Sequence, residues 1–135
     1  MPKFAATDYF VSINGTNFAD SLNSVELAEE ADNLETTAFG STWRTRIGGL
    51  KQASLTLNFM QDFAAGSVDA TLNPLLGSIA TVIIRPTSGT VTATNPNYTM
   101  TALVTQYSPF ASSVGDIATL SVTWPISGSV VRATA

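Results

Sequence analysis

The amino-acid sequence predicts a single all-β domain over residues 1–135, with one short helix on its flank and a long arm between strands. Three observations predict it. Apolar and polar residues alternate along most of the chain, the period-two signature of half-buried strands. Turn signals rich in Gly, Pro and Asn separate the alternating runs. Only residues 67–77 carry helix start and stop signals. At 135 residues the chain can bury one core without disulfides or metals.

The first predicted strand places Tyr9, Val11 and Ile13 on one face and ends at the turn signal Asn14-Gly15. Residues 23–28 and 33–39 read as a second and a third strand. Gly48-Gly49 reads as a turn or a close backbone approach. In LKQASLTLNFMQDF, Leu55, Leu57 and Phe59 share a face, with Thr56 and Asn58 opposite. The helix of residues 67–77 begins at Ser67 as N-cap, with Asp69 favourably placed in the first turn, and stops at Gly77. Pro74 lies too late for a first-turn proline, so an irregular or 3₁₀ end is expected. Val68, Leu72 and Leu75 or Leu76 form its core stripe. TVIIR (81–85) is a compact β-branched strand. Residues 98–107 alternate as another, with Tyr98 and Tyr107 on opposite faces. In the last, Ala118, Leu120, Val122 and Trp124 point one way. Residues 87–97 and 108–116 are loops.

Composition narrows the function. Charged residues make up 12% of the chain, about half the ~25% of an ordinary soluble domain. A surface of hydroxyls and small apolar groups is easily desolvated and suits extensive protein–protein burial. There is no cysteine and no histidine, which removes thiol chemistry and the commonest general base and metal ligand. No catalytic residue, cofactor or metal site is expected. The start MPKFAATDYF shows no apolar leader and no stretch reaches membrane-spanning length, so a chain without membrane binding is expected. A net charge of −4 argues against a phosphate-gripping surface.

Charge is segregated in one place. Glu26, Glu29, Glu30, Asp32 and Glu35 are five of the ten acids, and Arg44, Arg46 and Lys51 are three of the six bases. Between them AFGSTW holds Phe39 and Trp43. Nothing marks two of the carboxylates as a hydrolytic pair, and their spacing does not match a calcium loop. Two readings of this stretch stand. It is a solvated hairpin whose charges pair locally, or an arm that reaches a neighbouring subunit and pairs acid with base across the contact. Aromatics exposed in a loop would want a partner surface, which favours the arm; equally, Phe39 and Trp43 could fold back on the core. Such a contact is heterologous and generates rings or filaments.

The ordered segments resemble the tail tube (major tail) proteins of long-tailed noncontractile phages, especially those of actinobacteria. ELAEEADNLETTAFGSTWRTRIGGLKQASLTLNFMQDF is similar to that family's strand, acidic linker, Thr-x-Phe-Gly turn, arginine segment, Gly-Leu-Lys turn and long strand. VDATLNPLLG resembles its short helix, VIIRPTSGTVTATNPNYTM its next strand and loop, and SSVGDIATLSVTWPISGSV its closing strand. The resemblance implies a β-sandwich- or barrel-like tail-tube fold and hexameric rings stacked into a hollow tube. It implies tape-measure and tail-terminator proteins as further partners, DNA as non-specific passing cargo, and a place in the virion after assembly in the host cytoplasm. Residues 27–50 would be the arm bridging subunits or rings. The alternatives are a capsid decoration protein, a head–tail joining or terminator β-protein, and, ranked lower, a carbohydrate-binding β-domain.

Overall fold

The computed structural model describes Lys3 and residues 5–135; Met1, Pro2 and Phe4, part of the amino-terminal run read above, lie outside the described residues. Its strands are β1 (Phe10–Ile13), β2 (Thr16–Asn17), β3 (Leu22–Glu35), β4 (Arg46–Met60), β5 (Ile79–Arg85), β6 (Asn97–Leu103), β7 (Thr119–Pro125) and β8 (Val131–Ala133). The helix α1 (Val68–Leu72) continues into a 3₁₀ turn, Asn73–Leu75. All-β architecture with one short helix is therefore what the chain adopts.

Two antiparallel sheets share one core. One has the order β2-β1-β5-β6-β8 and the other β3-β4-β7. Each contributes the apolar half of its alternating strands: Val11 and Ile13, Ala80 and Val82, Met100 and Ala102 from the first; Leu55, Leu57 and Phe59, Leu120, Val122 and Trp124 from the second. Phe18 closes one side, edge-on to Phe59 with ring centroids 6.1 Å apart. Burying each of these large side chains stabilises the fold by roughly 1.5–3 kcal/mol. The sheets meet at one corner, where an isolated bridge pairs Ala102 with Ile126 and Ser127 N–H donates to the Thr101 carbonyl at 2.8 Å.

Local chemistry explains the joints. Asn14 and Gly15 both have positive φ, 50° and 87°, as a two-residue type I′ turn requires. The Asn14 side chain accepts from Thr81 N–H at 2.9 Å, fastening that turn to β5. Asn95, nearly buried, organises the loop after β5: its amide donates to the carbonyls of Gly89 and Thr90 and its oxygen accepts from Thr87 N–H.

Several expectations are corrected. Residues 23–28 and 33–39 are not two strands with a linker; the acidic stretch is itself strand, and β3 runs unbroken to Glu35. Gly48 and Gly49 lie inside β4 and make no turn, although Gly49 is a close approach: a Cβ there would sit 3.0 Å from Asp32 Cβ. Ser67 occupies the N-cap without a side-chain cap bond. Leu75 packs on the core, whereas Leu76 is exposed. Tyr98 and Tyr107 do not share a strand, because β6 ends at Leu103. Ala118 precedes β7 and is exposed. The short β8 had no sequence signal beyond Val131 and the Val130 before it.

Candidate assembly surface

The long arm is the distal part of two strands. β3 and β4 pair from Leu22–Phe59 to Glu35–Arg46, whereas β7 covers β4 only from Ser54 to Met60. The last bond from that side runs from Ile126 N–H to the Ala53 carbonyl at 3.0 Å, and residues 30–35 and 46–52 leave the body as a free two-stranded ribbon. At the usual rise per residue its β4 side extends about 23 Å. Residues 36–45 form the tip. Hydrogen bonds brace it, from Thr36 N–H to the Thr45 carbonyl at 2.8 Å and from Thr45 N–H to Thr37 Oγ1 at 2.9 Å. Gly40 takes the positive φ of 91° that the reversal needs. Phe39 and Trp43 project from this tip, 110% and 84% exposed.

The pairing register sorts the acids onto two faces. Glu26 lies opposite Thr56 and Glu30 opposite Gln52. These residues face away from the core, because the alternate pairs Val25–Leu57 and Leu27–Leu55 pack toward it. Asp32 follows on the same outer face. On β4 and β7 that face carries hydroxyls, and Thr56 Oγ1 lies 3.2 Å from Thr123 Oγ1. Glu29 and Glu35 fall on the other face, the one that continues from the core, with Lys51 and Arg46 across the ribbon. The outer face thus holds three acids and no base, and the inner face two of each.

Past Ala31–Lys51 the register shifts, since Gly49 and Leu50 of β4 together oppose Asp32 of β3. This β-bulge inverts the alternation of β4, so Ile47 lies opposite Leu34 on the outer face. Both are about half exposed.

Charge pairing inside the ribbon is local. Arg44 donates to Glu35 at 3.1 Å, the one ion pair among the described residues. The Gln52 side chain donates to Glu30. The five acids are strung along one strand, and among the described residues no group of acids is gathered to hold a metal ion.

Two features of this surface had no place in the sequence reading. β3 is the outermost strand of its sheet, fourteen residues long. An open edge of that length is a template for another chain. A second apolar cluster lies at the opposite end of β4, where Phe63 stacks on Phe110 with centroids 5.6 Å apart and Ile117 and Val114 are exposed. The only hint in the sequence was three large apolar residues in a loop that has no alternation to hide them.

Behind that cluster the helix is tied down. Tyr107 Oη donates to Asp69 at 2.6 Å and accepts from Gln61 at 3.2 Å. Burial, then the Asp69 carboxylate, pushes the Tyr107 hydroxyl pKa above its ordinary value.

No protein-family model matches the chain, and no curated protein matches it. Among solved structures, a chain from the virion of a native gene transfer agent particle is similar, with a TM-score of 0.77 at 16% identity, covering 96% of this chain and 98% of that one. A chain from the tail of an empty gene transfer agent particle, refined with C6 symmetry, is similar with a TM-score of 0.67 at 18% identity, covering 85% of this chain and 83% of that one. At these identities the likeness is one of fold.

Proposed function

We propose that this chain is a virion structural protein, a tail tube subunit that assembles into hexameric rings stacked as a hollow conduit for DNA. The observation that carries the reading is the near end-to-end likeness of fold to chains of a gene transfer agent virion and of a C6-symmetric tail. The open edge of β3 supports it. Repeated around a sixfold axis, joined sheets would close into one barrel and leave no such edge.

In that arrangement the outer face of β3-β4-β7 lines the lumen. Its hydroxyls and the unneutralised Glu26, Glu30 and Asp32 repel phosphates, so DNA passes without the counterion release that would hold it. The arm read from the sequence as residues 27–50, whose part beyond the body is residues 30–52, bridges subunits or rings, and tape-measure and tail-terminator proteins are further partners. The role is architectural and uses no catalytic group.

Negative-stain images of the purified protein test the reading. Sixfold rings or tubes of uniform width are expected. Stable monomers or trimers at high concentration would overturn it in favour of a decoration or joining protein.

A further inference from the structure

We propose that the hairpin tip of one copy docks on the opposite pole of a second copy, with Phe39 and Trp43 against the Phe63–Phe110 stack and Arg46 facing Asp62 and Asp116. The inference rests on the tail tube reading for its context, and adds the site that receives the arm.

The two apolar clusters sit at opposite ends of one strand. Arg46 begins β4 beside the tip and Met60 ends it. The second cluster belongs to the Met60 end, since Gln61 N–H donates to the Ala118 carbonyl at 2.8 Å and Phe63 and Ile117 flank that bond. Fifteen strand residues separate the ends by about 46 Å. One molecule cannot bring them together, so any contact between them joins two copies. A contact between unlike ends is heterologous, and it repeats from copy to copy as an open stack unless its rotation closes it into a ring.

The chemistry of the ends is complementary. The pole at 61–66 and 108–118 carries Asp62 and Asp116 and no basic residue. The tip carries Arg44 and Arg46; Arg44 is engaged by Glu35, and no ion pair of Arg46 appears among the described residues. Each end also exposes a large aromatic, Trp43 and Phe110, at 84% each. Both are preorganised, the tip by its Thr36–Thr45 bonds and the pole by ring stacking. Little side-chain freedom is lost when they meet.

The absence of cysteine gives a direct test. Trp43→Cys protein mixed with Phe110→Cys protein under mild oxidation is expected to give a heterodimeric crosslink at least tenfold above either variant alone. The double variant should give a ladder. In parallel, Asp116→Arg should raise the concentration needed for tubes at least tenfold while single rings persist, and adding Arg46→Asp to it should restore tubes to within a few-fold of the parent. Tubes that form normally without the crosslink, or an Asp116→Arg variant that stacks like the parent, overturn the docking and leave the tube reading intact. A crosslink in protein that never forms rings supports the docking and removes the tube. A protein with neither crosslink nor rings overturns both.

Discussion

Trp124→Ala offers the most quantitative check on the core. Trp124 is fully buried, lies opposite Leu55 in the β4–β7 ladder, and its indole N–H donates to the Gln106 carbonyl at 3.0 Å. Truncating a buried tryptophan costs about 3–5 kcal/mol through lost transfer energy and the cavity left behind. Leaving the Gln106 carbonyl without this donor adds about 1 kcal/mol. The sum, about 4–6 kcal/mol, is comparable to the whole stability of many domains, about 5–15 kcal/mol. At roughly 3–5 °C per kcal/mol for a domain of this size, Tm should fall by about 15–25 °C. Trp124→Phe keeps most of the volume and loses the hydrogen bond, so about 1–2 kcal/mol is expected from it. Guanidinium unfolding followed by far-UV circular dichroism, at concentrations too low for assembly, measures both, and an unchanged m-value licenses the comparison. A loss below ~1 kcal/mol for Trp124→Ala would refute a load on this side chain in the folded monomer. Equal losses for Ala and Phe would mean that the hydrogen bond, not packing, dominates.

Asn14→Ala should destabilise by about 1–2 kcal/mol, because it places Ala at positive φ and removes the acceptor for Thr81 N–H; an unchanged denaturation midpoint counts against the I′ turn. Gly49→Val should loosen the ribbon alone, since its Cβ would press on Asp32 and on Leu34 at 3.2 Å. Amides of residues 29–35 should exchange about tenfold faster, equivalent to about 1.4 kcal/mol, with the global midpoint unmoved; uniform protection would contradict the bulge. The raised Tyr107 pKa means the folded state holds that proton more tightly than the unfolded chain. Its contribution is complete below the unfolded value of about 10 and is lost as pH rises above that value. Tyr107→Phe should therefore flatten the decline of the urea midpoint between pH 9 and 11, and parallel curves would refute the assignment. Arg44→Glu with Arg46→Glu should leave the circular dichroism spectrum intact yet abolish polymerisation; unchanged tube yield would remove charge from the docking.

Much of this was legible because a period-two alternation reports both strand and face. Leu55, Leu57 and Phe59, and Leu120, Val122 and Trp124, are buried as their spacing requires. The ribbon misled for the same reason. Beyond Ala53 no third strand covers it, so neither face needs to be apolar and the alternation lapses. Its acids then read as a linker and its paired glycines as a turn. Strand pairing there is held by the backbone ladder, which leaves no trace in side-chain pattern. Phe63 and Phe110 were invisible as a site because their meeting depends on where two separate loops end.

The bulge at Gly49 and Leu50 separates two properties that a plain ribbon couples. Two β4 residues face Asp32 alone, so removing Leu50, which is exposed, would leave Leu34 opposite Ile47 and Glu35 opposite Arg46. What would change is the bend and added twist that a bulge imposes. The direction in which Phe39 and Trp43 point can thus be tuned by one residue while every strand partner stays the same. Chains built on this plan can re-aim their arm toward a differently shaped neighbour without redesigning the body that carries it.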